Sequence, residues 1–125
     1  MPLAGAKPEA NRRRHAIDIA GNHQLLLAID IGSSGVRCTA YTIAKRPRAI
    51  PGACAHVSRA VVGPAATDAD DVIAAIEDVV DITINQLRVL DLGGAVSAVG
   101  IASLSMSLVG ESCCYVCLAL ICKHP

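Results

Sequence analysis

The sequence has no tryptophan, no phenylalanine and only two tyrosines. With aromatics at 2%, it lacks the platforms on which single-stranded nucleic-acid binders stack bases. No nucleic-acid partner is expected on this ground. The Gly-x-x-x-x-Gly-Lys-Ser/Thr phosphate loop is also absent. So is an N-terminal apolar stretch of the length a secretory signal requires. A bilayer-spanning helix needs about 20 apolar residues. Counting back from Cys122 to Ala95 gives that length, but Glu111 and several serines interrupt it. Membrane insertion is therefore disfavoured, and a cytoplasmic location is expected.

What is present is aliphatic. Hydrophobic residues make up 53% of the 125, so a core must be built from Ala, Val, Ile and Leu. That suits buried strands and Ala-rich helices. One small domain fits this length. The formal net charge is zero, but residues 1–59 hold nine Lys/Arg against three Asp/Glu, and residues 60–125 hold two against eight. The plain reading is a basic leader followed by an acidic helix. Of six cysteines, Cys38 and Cys54 stand apart, and Cys113, Cys114, Cys117 and Cys122 crowd the C-terminus. Free thiols are expected rather than a disulfide scaffold.

The stretch Leu25–Ile43 organises the chain. An apolar run ends in Asp30, then come Gly32, Ser33, Ser34 and Gly35, then a second run alternates. Val36, Cys38, Ala40 and Thr42 fall on one side, and Arg37, Thr39, Tyr41 and Ile43 on the other. Two strand-like runs around a small Gly/Ser loop predict a hairpin. Gly32 and Gly35 permit backbone angles that most residues resist, and on that reasoning Gly32→Val abolishes any binding at the turn. Successive N–H groups in such a turn can cradle an anion. Asp30 offers carboxylate oxygens to a hydrated divalent cation. A plain hairpin with a glycine-rich turn satisfies the same residues.

Residues 1–23, with Pro2, Gly5, Pro8 and the Arg12-Arg13-Arg14-His15 cluster, show no sustained period and read as a disordered basic leader. Residues 45–52 read as a connector, because Pro47, Pro51 and Gly52 exclude a helix. Residues 53–62 suggest a third strand, with His56 as one of its surface residues. A helix is predicted over 68–90, opened by Thr67 or Asp68 and stopped by Gly93-Gly94. Its apolar stripe is Val72, Ile73, Ile76, Val79, Val80, Ile84, Leu87 and Leu90. Glu77, Asp78, Asp81, Asn85 and Arg88 form its solvated face. Residues 95–104, small and rich in β-branched side chains, read as a buried strand of a mixed sheet.

The segment Ala28-Ile29-Asp30-Ile31-Gly32-Ser33-Ser34-Gly35-Val36-Arg37 resembles the first phosphate motif of the sugar-kinase, heat-shock-protein and actin superfamily. Within it, the chain is most similar to the N-terminal end of FGGY carbohydrate kinases, gluconate kinases especially. Thr67-Asp68-Ala69-Asp70-Asp71 resembles the acidic start of that family's helix, and Val96–Ser103 its following strand. The order strand, strand, strand, helix, strand is the family's opening order. The resemblance spans residues 24–110.

The resemblance implies an α/β fold, a partial actin-like ATPase (ribonuclease H-like) domain, truncated. It implies ATP and Mg2+ as cofactors and a small sugar or polyol as substrate, gluconate-like by preference. Asp30 would organise Mg2+ through water, and Gly32, Ser33, Ser34 and Gly35 would line the phosphate loop. Arg37 either leans toward the phosphates or points to solvent. Ser107 is a weak candidate on the sugar side. The pattern departs after Leu104: Ser105 and Met106 stand where the family has Trp and His, and no W-x-D-x-R segment with its catalytic Asp follows. No catalytic residue is assigned. Residues 111–125 form an unrelated Cys-rich apolar tail, in which Cys114 and Cys117 have zinc-like spacing but no second pair. The expectation is a kinase fragment, inactive alone and prone to self-association. The alternative is a non-catalytic phosphate- or nucleotide-binding remnant or regulatory module.

Overall fold

The computed structural model describes residues 6–32, 35–58 and 69–103. Their order is helix α1 (Ala6–Ala20), strands β1 (Leu25–Ile31), β2 (Gly35–Thr42) and β3 (Ala49–Ser58), helix α2 (Ala69–Val89), a 3-10 turn (Gly93–Ala95) and strand β4 (Val96–Ser103). The strands form one sheet in the order β3-β2-β1-β4. β2 is antiparallel to both β1 and β3, and β4 is parallel to β1. The described residues are thus α/β with a mixed four-stranded sheet, as the element order predicts, and α1 is a helix beyond the predicted α2.

One face of the sheet makes the core. Leu25, Leu27, Ile29 and Ile31 of β1 are buried, with Val36, Cys38, Ala40 and Thr42 of β2 and Ala53 and Ala55 of β3. The alternation read in β2 is therefore the observed one. α2 lies on this face over β2 and β3. Its fully buried line is Val72, Ala75, Val79, Thr83 and Leu87, one residue per turn at three- and four-residue steps. Ile76, Val80, Ile84 and Leu90 flank it, half-buried, while Ile73 is 52% exposed. Ala75 and Thr83 were not part of the sequence-derived stripe. Both are fully buried on the line of α2 that faces the sheet. The Thr83 hydroxyl is satisfied by donating to the Val79 carbonyl at 2.7 Å. The expected solvated face, Glu77, Asp78, Asp81, Asn85 and Arg88, is exposed.

α2 stops earlier than its glycines. Asp91 takes the left-handed conformation (φ 58). Its N–H donates to the Arg88 carbonyl at 3.0 Å, and the Leu92 N–H reaches back to Leu87 at 2.8 Å. This is a Schellman ending with Asp rather than Gly in the left-handed position. Gly93-Gly94 therefore follows the stop and does not make it.

Three further expectations are corrected. The segment read as a disordered leader contains α1, which packs against β3 and buries Ala16 and Ala20. Its inward residues are alanines, the best helix formers but the weakest apolar signal, so no stripe was legible. Its end is conventional: Gly21, at φ 50, donates to the Ile17 carbonyl at 2.8 Å. Second, β3 begins at Ala49, inside the predicted connector. Thr39 pairs with Cys54 and Tyr41 with Ala49, so Ile50–Ala53 stand opposite the single Ala40. Pro51 and Gly52 (φ 81) occupy this wide bulge, where a missing N–H and a left-handed residue are tolerated.

Third, β4 is not buried. Val99 is 57% exposed and Ile101 36%, because α2 sits over β2 and β3 and leaves the β1–β4 side of the same face uncovered. Val99→Thr is accordingly expected to change stability by no more than about 0.5 kcal/mol in urea unfolding. A loss well above about 1 kcal/mol would mean that β4 is covered in solution.

Candidate functional site

β1 lies between β2 and the parallel β4, so its C-terminal end and that of β4 open side by side, with Ile31 opposite Ser103. In open α/β sheets, ligands bind beyond such carboxyl ends. The β1–β2 hairpin turns at this point. The Gly32 N–H donates to the Gly35 carbonyl at 2.8 Å, closing the hairpin over Ser33 and Ser34, which lie outside the described residues. So does Ser107.

The glycines differ from their expected roles. Neither Gly32 nor Gly35 has a positive φ. The Gly32 amide is already committed within the hairpin, so it is not a free donor for an anion. A Cβ on Gly32 would meet nothing closer than the Gly35 carbonyl at 3.5 Å, an ordinary contact. A Cβ on Gly35 would lie 2.4 Å from the Val57 carbonyl and 2.8 Å from His56 Nε2. Gly35 is therefore required by the close passage of β3, and no positive φ at Gly32 opposes a side chain there.

The register draws three polar side chains into one row. Asp30 of β1 stands opposite Arg37 of β2, and Arg37 opposite His56 of β3. All three are exposed, on the sheet face away from α2. On the other flank of Asp30 stands Ala102 of β4. Asp30 and Arg37 form no ion pair with each other. Arg37 is exposed on the open face beside the turn. One step along the strands, Thr39 and Cys54 pair through Oγ1 and Sγ at 3.3 Å.

His56 was read as one strand-surface residue among others. It is exposed, but it also abuts Gly35 at the hairpin. The bulge at Ile50–Ala53 sets the register that brings it there, and a bulge of that size has no signature in strand periodicity.

Chemically, the row offers carboxylate oxygens at Asp30 and nitrogen donors at Arg37 and His56. Among the described residues, no three His, Cys, Asp or Glu side chains cluster as a metal site. A cation at Asp30 would need its remaining ligands from water and from the bound anion, as Mg2+ usually takes them. An exposed carboxylate without an ion pair fits that role.

The two described thiols differ. Cys38 is buried against α2, and burial pushes its thiol up from the ordinary 9.0, with the Thr83 hydroxyl opposing and Cys54 adding to the rise. Cys54 is exposed. Iodoacetamide followed by peptide mapping should modify Cys54 well before Cys38 in the native protein. The sign of the pH effect follows. The folded thiol ionises at higher pH than the unfolded one, so this contribution to stability is whole below the ordinary thiol range. It is lost as pH rises through the folded value. Equal labelling of both thiols would contradict the packing of α2 on β2.

No family profile matches the chain, and no curated protein gives a significant match. Among solved structures, it aligns with the PPX-GPPA enzyme of Aquifex aeolicus at 18% identity, over 64% of this chain and 26% of that one, with a TM-score of 0.31. Identity and score at that level do not establish a shared fold. The class is given by the sheet itself: a small α/β unit whose hairpin turn opens beside two parallel strand ends. Among the described residues, no helix is long and apolar enough to cross a membrane.

Proposed function

We propose that this chain carries the phosphate-binding hairpin of a nucleotide-dependent phosphotransferase domain of the sugar-kinase, heat-shock-protein and actin type. The finer reading is the N-terminal part of an FGGY-like carbohydrate kinase that uses ATP and Mg2+ on a sugar or polyol, gluconate-like by preference. The observation that carries the proposal is the placement of Asp30, Arg37 and the Gly32–Gly35 turn at the shared carboxyl end of β1 and β4. The motif residues and the strand order agree with that assignment.

In this reading Asp30 orients a hydrated Mg2+, which when bound neutralises phosphate charge. Arg37 contributes a second positive charge from the facing strand. As the resemblance implies, Gly32, Ser33, Ser34 and Gly35 would line the phosphate loop. No residue is assigned as the base on the acceptor hydroxyl, so the chain alone binds but does not transfer.

The test is an amide-shift titration of the full chain with Mg-ATP. Shifts centred on Gly32, Gly35, Val36 and Arg37, reduced in Asp30→Ala, are the expected result. No change there at high-millimolar nucleotide would overturn the proposal. A coupled ADP-release assay over a panel of sugars should give no turnover. Sugar-dependent turnover would overturn the statement that the chain binds without transferring.

A further inference from the structure

We propose that His56, together with Arg37, binds a phosphate group on the open face of the sheet beside the hairpin turn. The inference rests on the phosphate-binding reading of that turn and adds a residue from β3 to it. Three observations carry it. Arg37 and His56 face each other across β2 and β3, both exposed. Neither is engaged in an ion pair or side-chain hydrogen bond among the described residues, so both keep their donors. And His56 Nε2 lies 2.8 Å from the position of a Cβ on Gly35. The imidazole is thus laid over the start of β2, not turned away from it, and the bare glycine provides the space.

The order of groups along the row favours an anion at its β3 end. Asp30 stands on one side of Arg37 and His56 on the other. An oxyanion held between Arg37 and His56 would lie on the far side of Arg37 from the Asp30 carboxylate, which keeps the two negative groups apart. Arg37 supplies a planar fork suited to phosphate oxygens. The imidazole supplies an N–H from a second direction. The next row, Thr39 with Cys54, is satisfied internally and brings no competing charge. Ala102, beyond Asp30, brings none either.

The experiment compares the full chain with His56→Ala and His56→Gln, each titrated separately with inorganic phosphate and with Mg-ATP. Amide shifts at Gly35–Arg37 and the imidazole nitrogen shifts of His56 are the readouts. His56 is exposed, so both variants are expected to keep the native amide spectrum. The expected result is that His56→Ala weakens binding about tenfold, the worth of a hydrogen bond to a charged group. His56→Gln, which keeps an N–H donor, recovers part of the loss. In the wild type, His56 Nε2 shifts on saturation. If inorganic phosphate alone produces these effects, the site takes free phosphate. If only Mg-ATP does, it takes the nucleotide's phosphate. If the wild type binds but both variants bind equally well, the role of His56 is overturned while the hairpin reading stands. If the wild type binds neither probe, both fall together.

Discussion

Gly35→Ala is expected to cost about 3 kcal/mol, the upper range for forcing atoms into a well-packed position. That is a large fraction of the roughly 5–15 kcal/mol that holds a small domain folded. The added methyl carbon would sit 2.4 Å from the Val57 carbonyl oxygen and 3.1 Å from the Ser58 Cα. These are backbone atoms of the neighbouring strand, so relief requires β3 to move away from β2. His56 Nε2, at 2.8 Å, could swing aside, but the carbonyl could not. Gly32→Ala is the matched control. Its added carbon finds only a 3.5 Å contact and no positive φ, so its cost should stay below about 1 kcal/mol. Urea unfolding followed by far-ultraviolet circular dichroism measures both. A Gly35→Ala protein as stable as wild type would show that β3 does not run beside Gly35. The same substitution should also remove phosphate binding if His56 and Arg37 act as proposed, because it drives the imidazole from its place.

The contrast between these two glycines shows where sequence reading stops. A Gly-Ser-Ser-Gly loop between two apolar runs announces a hairpin, and the hairpin is there. Its chemistry invites a positive-φ explanation, which needs only local information. The reason for Gly35 is a strand more than twenty residues later, and no local rule contains it. The same division runs through the rest of the fold. α2 was legible because a 3.6-residue stripe and an acidic start are local signals. α1 was not, because Ala16 and Ala20 bury little area and the neighbouring arginines dominate the composition. The start of β3 was hidden because Pro51 and Gly52 read as a break, while the folded sheet absorbs them in a bulge. β4 was correctly read as a strand, but its burial depends on where α2 lands. Of the site, Asp30 and Arg37 could be placed from the hairpin alternation alone. His56 could not, since its position depends on the bulge register.

That alternation also predicts which face of the central strand carries the fold. Leu27 and Leu26 are adjacent, chemically identical and both in β1, which is paired on both sides. Leu27 is 1% exposed on the face that meets α2. Leu26 is half-buried on the open face, with its Cδ1 3.8 Å from where a Cβ on Gly100 would sit. Leu27→Ala removes three carbons from a packed interior and leaves a cavity, which typically costs about 3 kcal/mol within a range of roughly 2–5. Leu26→Ala loses only partial burial against β4, worth about 1 kcal/mol. The two variants should therefore separate widely in the urea midpoint with similar m-values. A small loss at Leu27 would contradict the assignment of the core face. An equal, large loss at Leu26 would carry a different meaning. It would show that the open face bearing Asp30, Arg37 and His56 is covered in solution. The polar row would then lie at an interface, where an uncompensated Arg37 would be costly to bury. Small effects at Leu26 and Val99, with a large one at Leu27, are what a sheet covered on one face, and there only over β2 and β3, requires.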